Sequence, residues 1–218
     1  MKKNIFFYMI MVVVFYLIIG IVRLDMTTIF ACIVSLLLIF CIELLQRKIG
    51  YSNLCKFLCY VFILSTEILG QIYHFYTRVW YFDIIMHTFS SFIISYLSYY
   101  LLRFFGDINK MLLLLFIFSF AMMIESVWEI SEFCIDRVFN QDMQKDTIIN
   151  EITSTYFSTN GDTPVKLKVN DVIVDGISFS SKYGGYIDIG LYDTISDMVC
   201  ALVGSGIFII IFKKRLIC

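Results

Sequence analysis

The order of apolar and polar positions divides the chain into six long apolar blocks, at about 5–22, 27–45, 54–73, 82–102, 111–133 and 194–212. Each is close to the ~20 residues an α-helix needs to cross a ~30 Å hydrocarbon core. The connections between blocks are short, with one exception. Residues 136–191 are polar and carry most of the turn formers. Inside them, "VKLKVNDVIVDGISF" alternates apolar and polar residues around Asn-Asp and then Asp-Gly, which predicts a β-hairpin. The pattern predicts an all-α membrane protein, a bundle of six transmembrane helices with one extracellular insert. Residues 1–135 hold the first five spans. Residues 136–191 form the insert, a small β element over the outer mouth of the bundle. Residues 192–218 hold the sixth span and a basic tail.

Composition agrees with a membrane class. The chain is 60% hydrophobic and 17% aromatic, with one proline and a mean hydropathy of +0.84. Soluble domains run near 45–50% apolar. The lipid bilayer is thus the first partner, and a net charge of −1 gives no reason to expect nucleic acid. Most of the seven cysteines lie inside apolar blocks and none in the polar segment, which is no disulfide framework. Cys55 and Cys59 lack a second pair and read as small hydrophobes rather than zinc ligands. The start, "MKKNIFFYMIMVVVFYLIIG", imitates a signal peptide. Its apolar stretch exceeds the usual ~7–15 residues and no small-x-small site follows, so it reads as a retained first span.

Lys and Arg set the orientation. Lys2, Lys3, Arg47, Lys48, Arg103, Lys110, Lys213, Lys214 and Arg215 fall on one side, and the short loops of the other carry only Arg23 and Arg78. Both termini are therefore expected in the cytoplasm of a multi-pass cell-membrane protein, with 136–191 outside.

Against that orientation, the acids of the spans gather in the outer half. Asp83 opens the fourth span and His87 follows one turn deeper. Glu125, Glu129 and Glu132 in "MIESVWEISEF" share one helical face. Asp193 and Asp197 stand at the mouth of the sixth span, and Glu67 and His74 near the outer end of the third. Plain readings exist. Asp83 suits an N-cap, Thr194 with Asp197 a capping box, His87 alone a satisfied core histidine, and Glu132 a solvated face. Glu125 and Glu129 are harder to place so. A charge at mid-bilayer costs at least about 2.5–3.5 kcal/mol, and at a helix C-terminus an anion is disfavoured by about 0.3–1 kcal/mol more. The nearby cations, His87, His74, Arg78 and Arg137, are outnumbered. Carboxylates with one imidazole suit a hard or borderline divalent metal cation. The candidate ligands are Asp83, His87, Glu125, Glu129, Asp193 and Asp197, with His87 or Glu129 as a general base. The sharpest geometric expectation is that His87, Glu125, Glu129 and Asp197 lie close enough to share one ligand.

Three stretches carry a resemblance: "FDIIMHTF", "MIESVWEISEF" and "YDTISDMVCALVGSG". In this order they resemble the VanZ-like family, small polytopic membrane proteins named for teicoplanin resistance. The glutamate-rich span is also similar to the YjdF-like inner-membrane proteins of unassigned function. The resemblance covers 82–206. Asp197 stands where VanZ-like proteins commonly have Asn, Ile84 where they have Lys, and the long insert is unusual. It implies a shared site at Asp83, His87, Glu125, Asp193 and Asp197, while Glu129 and Glu132 come from the YjdF-like comparison. Three functions remain open. One is cation-assisted chemistry on an amphiphilic or lipid-linked cell-envelope substrate at the outer leaflet. Against it, the chain has no Ser or Cys nucleophile motif, no Arg-rich phosphate clamp and no HExxH. The second is ion- or proton-coupled transport, or ligand binding without catalysis, and the third a structural membrane protein whose acids pin the insert.

Overall fold

The computed structural model describes residues 2–106, 108–178 and 184–217. Among them six helices are long and apolar enough to cross a membrane: Ile5–Arg23, Met26–Ile49, Asn53–Ile72, Phe82–Phe104, Lys110–Phe139 and Leu191–Phe212. They belong to α1 (Lys2–Arg23), α2 (Met26–Ile49), α3 (Asn53–Leu64, continued by a π-helical stretch Ser65–Ile72), α5 (Phe82–Phe104), α6 (Lys110–Phe139) and α7 (Leu191–Ile217). A four-residue helix, α4 (Phe75–Arg78), joins the third span to the fourth.

Local chemistry sets the ends. Asp25 caps α2, accepting from the backbone N–H of Thr27 and Thr28 and, at 2.6 Å, from the Thr28 hydroxyl. The Thr28 hydroxyl is the main reason its carboxyl titrates below the usual aspartate value. Gly50 ends α2 at φ 76°, a left-handed position that favours glycine. Ser52 then caps α3.

Two expectations about caps are corrected. Tyr81, not Asp83, is the residue before α5. The last helix begins at Leu191, because the Asp188 carboxylate takes the Tyr192 N–H at 2.8 Å. Thr194 is thereby inside the helix, its N–H bonded to the Gly190 carbonyl, and no Thr194–Asp197 capping box starts it.

The chain forms two compact units: residues 1–127 with 197–218, and residues 128–196. In the first, Val13, Cys32, Ile39, Tyr60 and Ile63 pack α1, α2 and α3 together. A second apolar cluster, with Cys55, Ile93, Tyr96, Leu113, Ile117 and Phe208, joins α3, α5, α6 and α7. Helices α5 and α7 run parallel and very close. A Cβ at Gly204 would collide with the Thr88 carbonyl oxygen and lie 2.9 Å from the carbonyl carbon. Ser91 Oγ donates to the Ala201 carbonyl at 2.7 Å, and Ser95 Oγ to Ser205 Oγ at 3.0 Å. Both pairs are 110 residues apart in sequence, as are His87 and Asp197 (197 − 87), one turn nearer the start of each helix. Small residues allow backbones to approach and satisfy hydroxyls across the seam. Here they also set the register in which His87 meets Asp197.

The acids are not confined to one end. Glu43, inside α2 near its basic C-terminus, pairs with Lys56 Nζ at 2.7 Å. The same carboxylate oxygen accepts from Tyr60. Lys56 is buried in the first turns of α3, so each charge answers the other. Removing one partner of a buried pair strands the other. Lys56→Met is expected to cost about 3 kcal/mol in detergent unfolding, and the double variant with Glu43→Gln to recover most of that loss.

Among the described residues the second unit contains three two-stranded antiparallel sheets. β1 (Thr147–Ile149) pairs with β6 (Tyr186–Asp188), β2 (Glu151–Ser154) with β3 (Val165–Lys168), and β4 (Ile173–Val174) with β5 (Ile177–Ser178). The Asp-Gly turn is present: Asp175 and Gly176, both at positive φ, join β4 to β5. The Asn-Asp step joins no hairpin. β3 instead pairs back to β2, where Lys166 reaches Glu151 at 2.6 Å. Phe179, the last residue of the predicted hairpin, lies outside the described residues.

Carboxylates tie the start of the insert down. Asp136 accepts from the N–H of Met143 and Gln144, and Asp193 from that of Lys145. Burial, and then the charges of Asp142, Asp188 and Asp136, raise the Asp146 pKa above its ordinary value. A carboxyl whose pKa is raised on folding weakens the fold when ionised. Asp146→Asn is therefore expected to slow proteolysis of the insert at neutral pH. The advantage over wild type should shrink as the pH falls through the raised pKa and vanish below the unfolded value near 3.8.

Candidate functional site

Within the first unit, three helices bring four ionisable side chains together. Asp83 lies in the first turn of α5, and His87 follows at i+4 on the same face. Asp197 comes from α7 and Glu125 from α6. His87 Nε2 is 3.6 Å from Asp83 Oδ1 and 3.4 Å from Asp197 Oδ2, while its Nδ1 is 3.4 Å from Glu125 Oε2. His87, Glu125 and Asp197 are 7%, 3% and 2% exposed, which takes them out of contact with bulk water. Asp83 is partly exposed, with 13% of its side chain accessible. Ser90, one turn beyond His87, donates to the other Glu125 oxygen, Oε1.

The imidazole thus divides its nitrogens. One edge meets Glu125, and the other meets Asp83 and Asp197. One donor atom each from Asp83, His87 and Asp197 lies within 4.8 Å of the other two. Tetrahedral donors about 2.0–2.2 Å from an ion are about 3.3–3.6 Å apart. The 3.4 and 3.6 Å separations from Nε2 match that edge length. Mixed imidazole and carboxylate donors suit zinc, manganese or iron(II) rather than copper(I) or a thiolate metal. By donor chemistry and by the two separations from Nε2, these residues fit a divalent cation.

Other predicted site residues belong to the second unit. Glu129 and Glu132 are buried, at 4% and 7% exposure, but belong to the second unit, where Trp128 Nε1 donates to Glu132 at 2.8 Å. Asp193 also belongs to the second unit and receives the Lys145 N–H. Of the four residues expected to share one ligand, His87, Glu125 and Asp197 are brought together, with Asp83 beside them. The helix dipole does not act on the glutamates as expected. α6 continues to Phe139, so Glu125, Glu129 and Glu132 all lie seven or more residues from its end, and the dipole's effect fades within the last turn. Burial alone makes them costly. Glu67 sits in the π-helical stretch, and His74 is exposed between it and α4. Ser90 is not among the predicted site residues. Its spacing of three from His87, with a second serine following, is the sequence signal that marks it.

Residues 4–216 match the family described as Predicted membrane protein (DUF2238). The match includes the first three spans, which the VanZ-like motifs leave uncovered. No curated protein and no solved structure matches the chain.

Proposed function

The chain belongs to the DUF2238 family of predicted membrane proteins, and from that premise we propose that it holds a divalent cation at Asp83, His87 and Asp197 for chemistry on an amphiphilic, lipid-linked cell-envelope substrate. The observation that carries the proposal is the meeting of the two aspartates and His87 Nε2 on the bundle's buried side. Two further points support it. Asp83 is in the first turn of its helix, so the site is within reach of the headgroup level rather than at mid-membrane. The order of the three motifs also resembles VanZ-like proteins, and the glutamate-rich span YjdF-like ones. Placing both termini in the cytoplasm, as Lys and Arg predict, sets the site toward the outer leaflet.

When bound, a divalent cation supplies Lewis-acid polarisation of a phosphoryl or carbonyl oxygen and acidifies a bound water. The chain's own residues hold and screen it. The aspartates contribute charge, His87 contributes a neutral nitrogen, and burial excludes competing water. Glu129 and Asp193, in the second unit, have no part in this proposal.

The deciding experiment is elemental analysis of the detergent-purified full chain, before and after incubation with Mg²⁺, Mn²⁺ and Zn²⁺. About one divalent ion per chain supports the proposal. Folded protein that takes up none of the three would overturn it and move the cluster to proton sharing, with transport or ligand binding ahead of catalysis.

A further inference from the structure

We infer that Glu125 and Ser90 are positioning residues for His87 and not ligands of the cation; this rests on the cation reading above. The two nitrogens of an imidazole point away from each other across the ring. A cation shared by Nε2, Asp83 and Asp197 therefore has the ring between it and Glu125, which faces Nδ1 at 3.4 Å.

The chemistry of Glu125 follows from that position. A buried carboxylate against Nδ1 holds the ring proton there, which leaves the Nε2 lone pair facing Asp83 and Asp197. A carboxylate behind a ligating histidine fixes the tautomer and the ring plane and raises the basicity of the other nitrogen. Ser90 completes the chain. Its Oγ stands between the His87 carbonyl oxygen, at 2.9 Å, and Glu125 Oε1. It has one proton to give, and the charged oxygen makes the stronger bond. Glu125 is thus held on one oxygen by Ser90 and meets the imidazole with the other. Ser90 and His87 are both on α5, so a single helix carries the ligand and the hydroxyl that steers its partner.

The test uses the full chain in detergent, with Zn²⁺ affinity measured by competition against a chelating dye and Co²⁺ as the spectroscopic probe. Glu125→Gln and Ser90→Ala are expected to keep one site per chain but weaken Zn²⁺ by about 10–100-fold, the usual cost of losing an outer-shell partner. Both should shift the visible Co²⁺ bands, because the imidazole rotates. Ser90→Thr, which keeps the hydroxyl, should restore affinity and spectrum. Ser98→Ala, which removes a hydroxyl bonded to a carbonyl of its own helix, should change neither. If Glu125→Gln does not fold, the Ser90 pair carries the test, since it alters one oxygen and then returns it. Unchanged affinity and spectrum in Ser90→Ala and Glu125→Gln would overturn the assignment. So would loss of the site in Glu125→Gln as complete as in a ligand variant, which would make Glu125 a ligand. Wild-type protein that takes up none of Mg²⁺, Mn²⁺, Zn²⁺ and Co²⁺ is a different result: the cation reading falls, and this assignment with it.

Discussion

Asp197→Asn is expected to abolish stoichiometric divalent-cation binding and to remove the cation's effect on stability. In the proposed site Asp197 supplies one of three donors, and its carboxylate lies 3.4 Å from His87 Nε2. Asn keeps the shape and loses the charge, so the comparison isolates charge from packing. The loss should exceed the roughly 10–100-fold expected for an outer-shell residue. A ligand that binds only the folded state at a concentration 100 times its Kd stabilises it by about 2.7 kcal/mol. Wild type should therefore melt higher as Zn²⁺ or Mn²⁺ rises, and Asp197→Asn should not. Without cation the order should reverse or level out. Asp83, Asp197 and Glu125 surround one imidazole, and removing one buried anion relieves repulsion. A variant whose melting temperature still climbs with cation, in parallel with wild type, would show that Asp197 is no ligand.

The second large effect is expected at Gly204. Helix propensity alone favours Gly→Ala inside a helix by about 1 kcal/mol. Contact opposes it, because the new Cβ would overlap the Thr88 carbonyl oxygen and sit 2.9 Å from its carbon. A backbone carbonyl cannot turn aside as a side chain does, so α5 and α7 must part. Overpacking usually costs about 1–3 kcal/mol. Gly204→Ala should reach the upper part of that range after the propensity gain, and Gly204→Leu should exceed it. Parting the helices also pulls Ser91 from Ala201 and His87 from Asp197. Melting temperature and cation affinity should therefore fall together, although Gly204 touches no ligand. Gly206, two residues on, has nothing within 4 Å of where a Cβ would stand. Its alanine variant should be neutral or slightly stabilising, with affinity intact. A stable Gly204→Ala would mean the helix seam is looser than its hydrogen bonds imply.

Much of this arrangement is legible in the sequence. Lipid requires backbone groups to be satisfied within the segment, so blocks such as 111–133 can only be helices, and their existence is readable from hydropathy. Their ends are less so. α6 runs on to Phe139 and α7 starts at Leu191 because polar side chains such as Asp188 extend or cap a helix as readily as a loop does. The i, i+4 pair Asp83–His87 is readable because it lies on one helix. Its meeting with Asp197 depends on the parallel register of α5 and α7, which rests on Gly204 and Ser91 and is a tertiary fact. Glu43 escapes a sequence reading because its partner, Lys56, stands on the next helix rather than one turn away. The β2–β3 pairing is hidden because alternation marks strands without naming their partners.

The length of α5 has a consequence for the kind of membrane that suits the protein. Its 23 residues span about 35 Å, little more than the ~30 Å hydrocarbon layer. Asp83 is one residue inside its start, and His87 about 6 Å further along the axis. The cluster therefore lies within a few ångströms of the hydrocarbon boundary, a distance comparable to the difference between thin and thick natural bilayers, about 27 to 33 Å. Lipid chain length is accordingly expected to act as a valve. Short-chain lipids should leave Asp83 wetted and cation exchange fast, and long-chain lipids should submerge the same four side chains and slow it.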